Sequence, residues 1–293
     1  MGTTTSILRR FIIGELSWKR VARSILLIIL SVYLFSLGYT VLLADRLIFQ
    51  PQTASYTDNN QILKLTTQQG TVISARYLHN PDATYTLLYS HGNAEDLGDI
   101  DEILEQFHEH GFSIIAYDYS GYGTSTGTPS EQHFYTDILA VYEYLRNERY
   151  LHAENIVVFG RSVGGGPSID LASRNIVGGL IIQSSFVSAF RVITKIPVFP
   201  FDKFSNLRKM QAVSCPVLVI HGKRDEIIPF WHGKTLYENA HSPKMKLWVD
   251  KAHHNDVGWA AGNEYWSVLE QFVELLEDHK AKTVITKKKT KQS

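Results

Sequence analysis

Cysteine is almost missing from this chain. Its single thiol, Cys215, can close no intrachain disulfide, and no cysteine and histidine cluster has the spacing of a structural zinc site. The fold must therefore be held by its core, and neither a metal nor an organic cofactor is called for. An excess of charge is missing too. Lys+Arg 29 against Asp+Glu 29 leaves a formal net charge of zero, which excludes the electrostatic footprint of a nucleic-acid binder. No internal repeat and no low-complexity stretch precedes the terminal lysines, so a repeat architecture is excluded as well.

What is present is apolar residue in quantity. Of 293 residues, 44% are hydrophobic, enough for one large α/β domain of roughly 200 to 250 residues plus an appendage. The appendage stands at the N-terminus. From Val21 to Ala44 the only charged residue is Arg23, and the run Ile25 to Ala44 is close to the roughly 20 residues that cross a bilayer. Arg9, Arg10, Lys19, Arg20 and Arg23 precede it, whereas only Asp45 and Arg46 follow at once. The positive-inside bias then puts the N-terminus in the cytosol and the main domain on the extracytosolic side of a single span. A cleaved signal peptide is the rival, but the run exceeds the usual apolar region and no small-x-small site ends it. A buried core helix is the third reading, weakened because every face of the segment is apolar.

Beyond the connector holding Phe49-Gln50-Pro51, Ile62 to Thr67 and Thr71 to Leu78 are split by Gln69-Gly70 and predict an antiparallel pair at a sheet edge. Short apolar runs then alternate with helical segments. The runs are Thr84 to Ser90, Ser113 to Tyr117, Asn155 to Phe159, Gly179 to Gln183, Pro216 to His221 and Lys246 to Val249. Ile100 to His110, Phe134 to Arg149 and Tyr265 to Leu276 carry apolar residues at helical spacing. The alternation predicts a mostly parallel sheet with helices on both faces, whose ligands bind at the carboxyl ends of the strands.

Those strand ends hold the informative residues. Gly160-Arg161-Ser162-Val163-Gly164 sits between an apolar strand and a helical segment, the setting of a nucleophile elbow. His91-Gly92-Asn93-Ala94 follows the first parallel strand, and the amide of Asn93 with that of Val163 supplies the two donors an oxyanion requires. His91 reads as a core residue shaping that loop, and Asp118 as structural. Gly222-Lys223-Arg224-Asp225-Glu226 puts a carboxylate at the next strand end, with Asp225 favoured over Glu226. His253 and His254 share the last loop, and one of them is the expected base. The chain order Ser, Asp, His matches one known hydrolase order among the common triads.

The sequence from about Phe49 to Leu276 resembles membrane-anchored α/β-hydrolases of the ABHD type. The motifs that carry this are Ser90 to Gly98, Asp118 to Gly123 and His221 to Pro229. The resemblance implies an α/β-hydrolase fold with a small lid, preceded by one transmembrane helix. It aligns a Gly-His-Asn-Asp-like run with His253-His254-Asn255-Asp256, which makes His254 the base; His253 stands where glycine is usual, and Ser120 where arginine is common. Acyl-chain chemistry near a membrane is also implied: carboxylic esters, thioesters or lipids split by Ser162, Asp225 and His254 through an acyl-enzyme. Alternatives are a serine aminopeptidase-like amide hydrolase and a non-catalytic membrane-tethered binding module.

The expected layout is a basic segment (1–20), a transmembrane signal anchor (21–44), a connector (45–60), the hydrolase domain (61–280) and a basic tail (281–293). Its lid, about 186–212, is short, which predicts a fairly open site. Within it Ile196 to Phe201 either guides an acyl chain or covers the sheet. Small-molecule esters and the membrane are the expected partners, and nucleic acid is not.

Overall fold

The computed structural model describes residues 18–290; Arg9, Arg10 and Lys291 lie outside the described residues. Two units are distinct, one up to Leu47 and one from Ile48 onward. The first holds most of helix α1 (Trp18–Ile48). Its stretch Trp18–Thr40 is long and apolar enough to cross a membrane, with mean hydropathy 2.0 and none of it buried in protein. Isoleucine and leucine left this exposed have no aqueous rationale.

The second unit is built on one eight-stranded sheet in the order β1-β2-β4-β3-β5-β6-β7-β8. Here β1 is Ile62–Thr66, β2 Val72–Leu78, β3 Thr86–Ser90, β4 Ser113–Tyr117, β5 Ile156–Arg161, β6 Gly179–Gln183, β7 Val217–Gly222 and β8 Lys244–Val249. The first two strands pair antiparallel at the edge, as Gln69-Gly70 predicts, and from β4 to β8 every pair is parallel. The parallel strands read as continuous apolar runs because both faces are covered. Alternate residues supply two separate cores. Leu88, Val158 and Ile182 pack under one set of helices, and Leu87, Phe159 and Ile181 under the other.

Helices α3 (Glu131–Asn147), α4 (Gly165–Arg174), α5 (Asn206–Met210) and α6 (Trp231–Asn239) cover the first face, while α2 (Asp101–Glu109), α7 (Val257–Ala261) and α8 (Asn263–Thr290) cover the second. In α3 the Ser130 hydroxyl accepts from the His133 amide, and Ile138, Val141 and Leu145 form a fully buried stripe at helical spacing. Two differences from the sequence expectation stand out. Helix α6 lies between the last two runs, where the alternation calls for a helix, but its bounds were not given, because its buried face rests on Leu236 with His232 and Gly233 rather than on an apolar stripe. The last helix runs on to Thr290, through most of the segment set apart as a basic tail.

Candidate active site

Strands β3 and β5 pair with Ser90 opposite Gly160, so the loop after β3 and the turn after β5 leave the sheet side by side. The turn is tight. Ser162 has φ +53°, a left-handed conformation that a non-glycine residue keeps only where its surroundings over-determine it. Gly160 and Gly164 permit the contact: a Cβ on Gly160 would lie 2.5 Å from the Gly164 carbonyl oxygen, and one on Gly164 would lie 2.2 Å from that of Ser90. The Ser185 hydroxyl donates to the Ser162 carbonyl at 2.8 Å and fixes the apex. Directly after the serine, the Val163 amide opens the helical segment that continues into α4, where N–H groups have no intrahelical acceptor.

At the other end, β7 and β8 pair with Gly222 opposite Val249. The Lys223 amide donates to the Val249 carbonyl at 2.9 Å and the Arg224 amide to that of Ala252 at 3.0 Å, which locks the two following loops together. Gly222 is needed there, since a Cβ would come within 2.4 Å of the Ala252 carbonyl oxygen. Asp225 Oδ1 accepts from the amides of Ile227 and Ile228 at 3.0 and 2.7 Å. That leaves Oδ2 for the histidines.

The structure brings Ser162, His254 and Asp225 into one hydrogen-bonded chain. His254 Nδ1 lies 2.8 Å from Asp225 Oδ2, and His254 Nε2 lies 3.0 Å from Ser162 Oγ. Burial works to raise the Asp225 carboxyl, but hydrogen bonds from His221 and His254, the charge of His254 and the Ile228 amide outweigh it and hold the carboxyl well below the usual range. An ionised carboxylate only accepts, so Nδ1 carries the ring proton and the Nε2 lone pair faces the hydroxyl. Such a chain can draw the proton from Oγ as the oxygen attacks an electrophile. His253, in contrast, is half exposed and sits 2.9 Å from Glu226 Oε2.

The loop after β3 carries Asn93, whose side chain is bonded through both its nitrogen and its oxygen. Its Nδ2 donates to the Ile48 carbonyl at 2.6 Å, while Oδ1 accepts from the Gln50 amide at 3.1 Å and the Tyr122 hydroxyl at 2.7 Å. These bonds anchor the side chain to the Ile48–Gln50 segment and to Tyr122 and use one of the two Nδ2 hydrogens. His91 is buried, its Nδ1 2.8 Å from the Gly92 carbonyl, and Asp118 accepts from the Leu97 amide and the Tyr56 hydroxyl. Both hold the loops.

Sequence reasoning passed over a second polar chain. Arg161, between Gly160 and Ser162, donates to Glu95 through one nitrogen and to Asn255 Oδ1 at 2.9 Å through the other. Glu95 Oε2 also accepts from the Gly92 amide at 2.8 Å. The available signal was a charged residue at the end of a strand otherwise buried throughout. His221 was likewise missed beside Asp225: its Nε2 bonds the Ile228 carbonyl at 2.9 Å and lies 3.3 Å from Asp225 Oδ2.

Ser162, His254 and Asp225 keep 8%, 5% and 6% of their surface exposed. The Ser184–Ser205 segment is tied within itself, Asp202 accepting from the Ser188 hydroxyl and the Phe190 amide. Its apolar residues divide, with Ile193 and Ile196 largely exposed and Phe190, Phe199 and Phe201 packed ring against ring. A cavity of about 640 Å³ lies on the second face, lined among others by Arg161, Asn255, Trp259 and Trp266. Among the described residues, no group of three or more histidine, cysteine, aspartate or glutamate side chains is placed to hold a metal ion.

Sheet order, flanking helices and the strand-end site define an α/β hydrolase. Residues 81–199 match the family model described as serine aminopeptidase, S33. The chain is 41% identical to alpha/beta hydrolase domain-containing protein 17B of Homo sapiens, over 71% of this chain and 73% of that protein. It is also 41% identical to alpha/beta hydrolase domain-containing protein aho-3 of Caenorhabditis elegans, over 67% of this chain and 59% of that protein. Among solved structures, an esterase of Pyrococcus furiosus superposes with a TM-score of 0.65 at 20% identity, covering 77% of this chain and 98% of the esterase. This chain belongs to the α/β-hydrolase domain-containing family, and it is a hydrolase.

Proposed function

We propose that this chain is a serine hydrolase that cleaves carboxylic esters or thioesters, of acyl or lipid type, through an acyl-enzyme. The observation that carries the reading is the chain Ser162–His254–Asp225, with contacts of 3.0 and 2.8 Å. Ser162 Oγ attacks the carbonyl carbon while His254 Nε2 takes its proton, and Asp225 steadies the imidazolium through Nδ1–H. The carbonyl oxygen becomes an oxyanion held by the backbone amides of Asn93 and Val163. Collapse of this adduct expels the alcohol or thiol, which receives the proton from His254. Water, deprotonated by the same ring, then releases the acid and restores Ser162.

A fluorophosphonate probe tests this. It labels the wild type and spares Ser162→Ala; equal labelling of both, or none of either, overturns the reading. An acyl-chain substrate is supported by the exposed apolar lid residues and by the apolar helix α1. The family model names a serine aminopeptidase, which favours amide cleavage as the second reading. Turnover of aminoacyl amides in place of p-nitrophenyl acyl esters selects it.

The apolar helix α1 is the membrane anchor in this reading. Lys19, Arg20 and Arg23 at its start support a cytosolic N-terminus and an extracytosolic hydrolase unit. Protease added outside intact cells degrades that unit where it is extracellular; digestion that appears only once the plasma membrane is permeabilised, with internal membranes still sealed, reverses the orientation.

A further inference from the structure

Arg161 keeps 7% of its surface exposed. A buried guanidinium is costly unless its donors are used and its charge is paired. Both conditions are met by residues of other loops. Glu95 belongs to the loop after β3 and Asn255 follows His254, so the two sides of the fork reach 66 and 94 residues away along the chain. Glu95 passes the connection on to the Gly92 amide, one residue before Asn93. Between Asn93 and Glu95 stands Ala94 with φ +58°, a left-handed backbone that needs a partner to hold it. The polar chain thus joins the loop of Asn93, the elbow of Ser162 and the loop of His254.

We infer that Arg161 is a positioning residue, whose bonds to Glu95 and Asn255 hold the Asn93 amide and the His254 ring in place around Ser162 Oγ. The inference rests on the serine-hydrolase reading given above. Its physical basis is that reacting groups displaced by about 1 Å lose on the order of 10²-fold in rate, while binding of the remote acyl chain is untouched. A lysine at this position keeps the charge without the planar fork and so reaches one partner at a time. The neighbouring cavity, lined by Arg161 itself, leaves room for a small cation once the side chain is cut back.

The test uses the full chain in detergent micelles, with p-nitrophenyl acyl ester turnover, fluorophosphonate labelling rate and melting temperature measured for each variant. Arg161→Ala, Arg161→Lys and Glu95→Gln are expected to lose about 10- to 100-fold in kcat with KM within about twofold, Arg161→Lys losing least. The double variant Arg161→Ala/Glu95→Gln loses no more than Arg161→Ala alone, because the two act as a unit. Millimolar methylguanidinium restores turnover to Arg161→Ala and none to Ser162→Ala; a loss it leaves untouched assigns the arginine to the fold alone. Should Arg161→Ala not fold, Arg161→Lys and Glu95→Gln decide, and unchanged kcat in both overturns the inference. A wild type inert to probe and esters overturns the hydrolase reading and the positioning role together. An active wild type with unaffected Arg161 variants overturns the positioning role by itself.

Discussion

His253 and His254 are adjacent in the chain and face different carboxylates: His254 Nδ1 lies 2.8 Å from buried Asp225, and His253 Nδ1 lies 2.9 Å from exposed Glu226. Exposed pairs of the second kind contribute about 0–1 kcal/mol. His254→Ala is therefore expected to lower kcat/KM for an acyl ester by roughly 10⁴-fold or more, and His253→Ala by no more than about threefold. Steady-state kinetics of the two variants checks this; similar losses would mean that the ring nearest Ser162 is not the base.

Asp225 gives a different signature. Its carboxyl is held far down by hydrogen bonds from two histidines despite burial, so it stays ionised wherever activity can be measured. Asp225→Asn is expected to lose roughly 10³- to 10⁴-fold in kcat near neutral pH. A pH–rate profile showing a displaced optimum with an undiminished maximum would contradict it.

The strand ends were legible in the sequence because parallel strands buried on both faces are short apolar runs, and those ending at Ser90, Arg161 and Gly222 each have a glycine at or close to their end, Gly92, Gly160 and Gly222. Pairing was not written there. Nothing in the runs says that Ser90 stands opposite Gly160, and it is this register that brings the Asn93 loop beside the elbow. The choice between His253 and His254 depends on where Ala252 is pinned by the Arg224 amide, a contact between loops 28 residues apart. Arg161 was hidden for a related reason: its partners Glu95 and Asn255 are local to nothing but the folded site. The bounds of helix α6 were not legible because its inward positions are His232, Gly233 and Leu236, which carry no apolar period.

Gly164 predicts a packing failure. A methyl group there would meet the carbonyl oxygens of Ser90 and His91 at 2.2 and 2.7 Å, both backbone atoms that no rotamer change can move. Gly164→Ala is expected to cost about 1–3 kcal/mol, lowering the melting temperature by roughly 2–12 °C and abolishing fluorophosphonate labelling. An unshifted melting curve with normal labelling would show that the elbow is looser than this contact demands.

Asp137 ties α3 to the loop after β4, its carboxylate oxygens accepting from the Ser120 amide and hydroxyl at 2.7 and 2.8 Å. Burial pushes its carboxyl up to about 6, against the downward pull of those two bonds and of nearby His133. The folded-state value thus lies above the ordinary 3.8, so the folded state holds the proton more tightly than the unfolded one. Its contribution to stability is complete below about pH 4, is lost as pH rises through about 6, and stays lost above that. The gap between 6 and 3.8, at about 1.4 kcal/mol per pH unit, corresponds to roughly 3 kcal/mol. Measured against Asp137→Asn by urea denaturation, wild type should lose that much relative stability between pH 4 and pH 7.5. A difference between the two proteins that does not change with pH would mean that Asp137 is charged in the fold throughout.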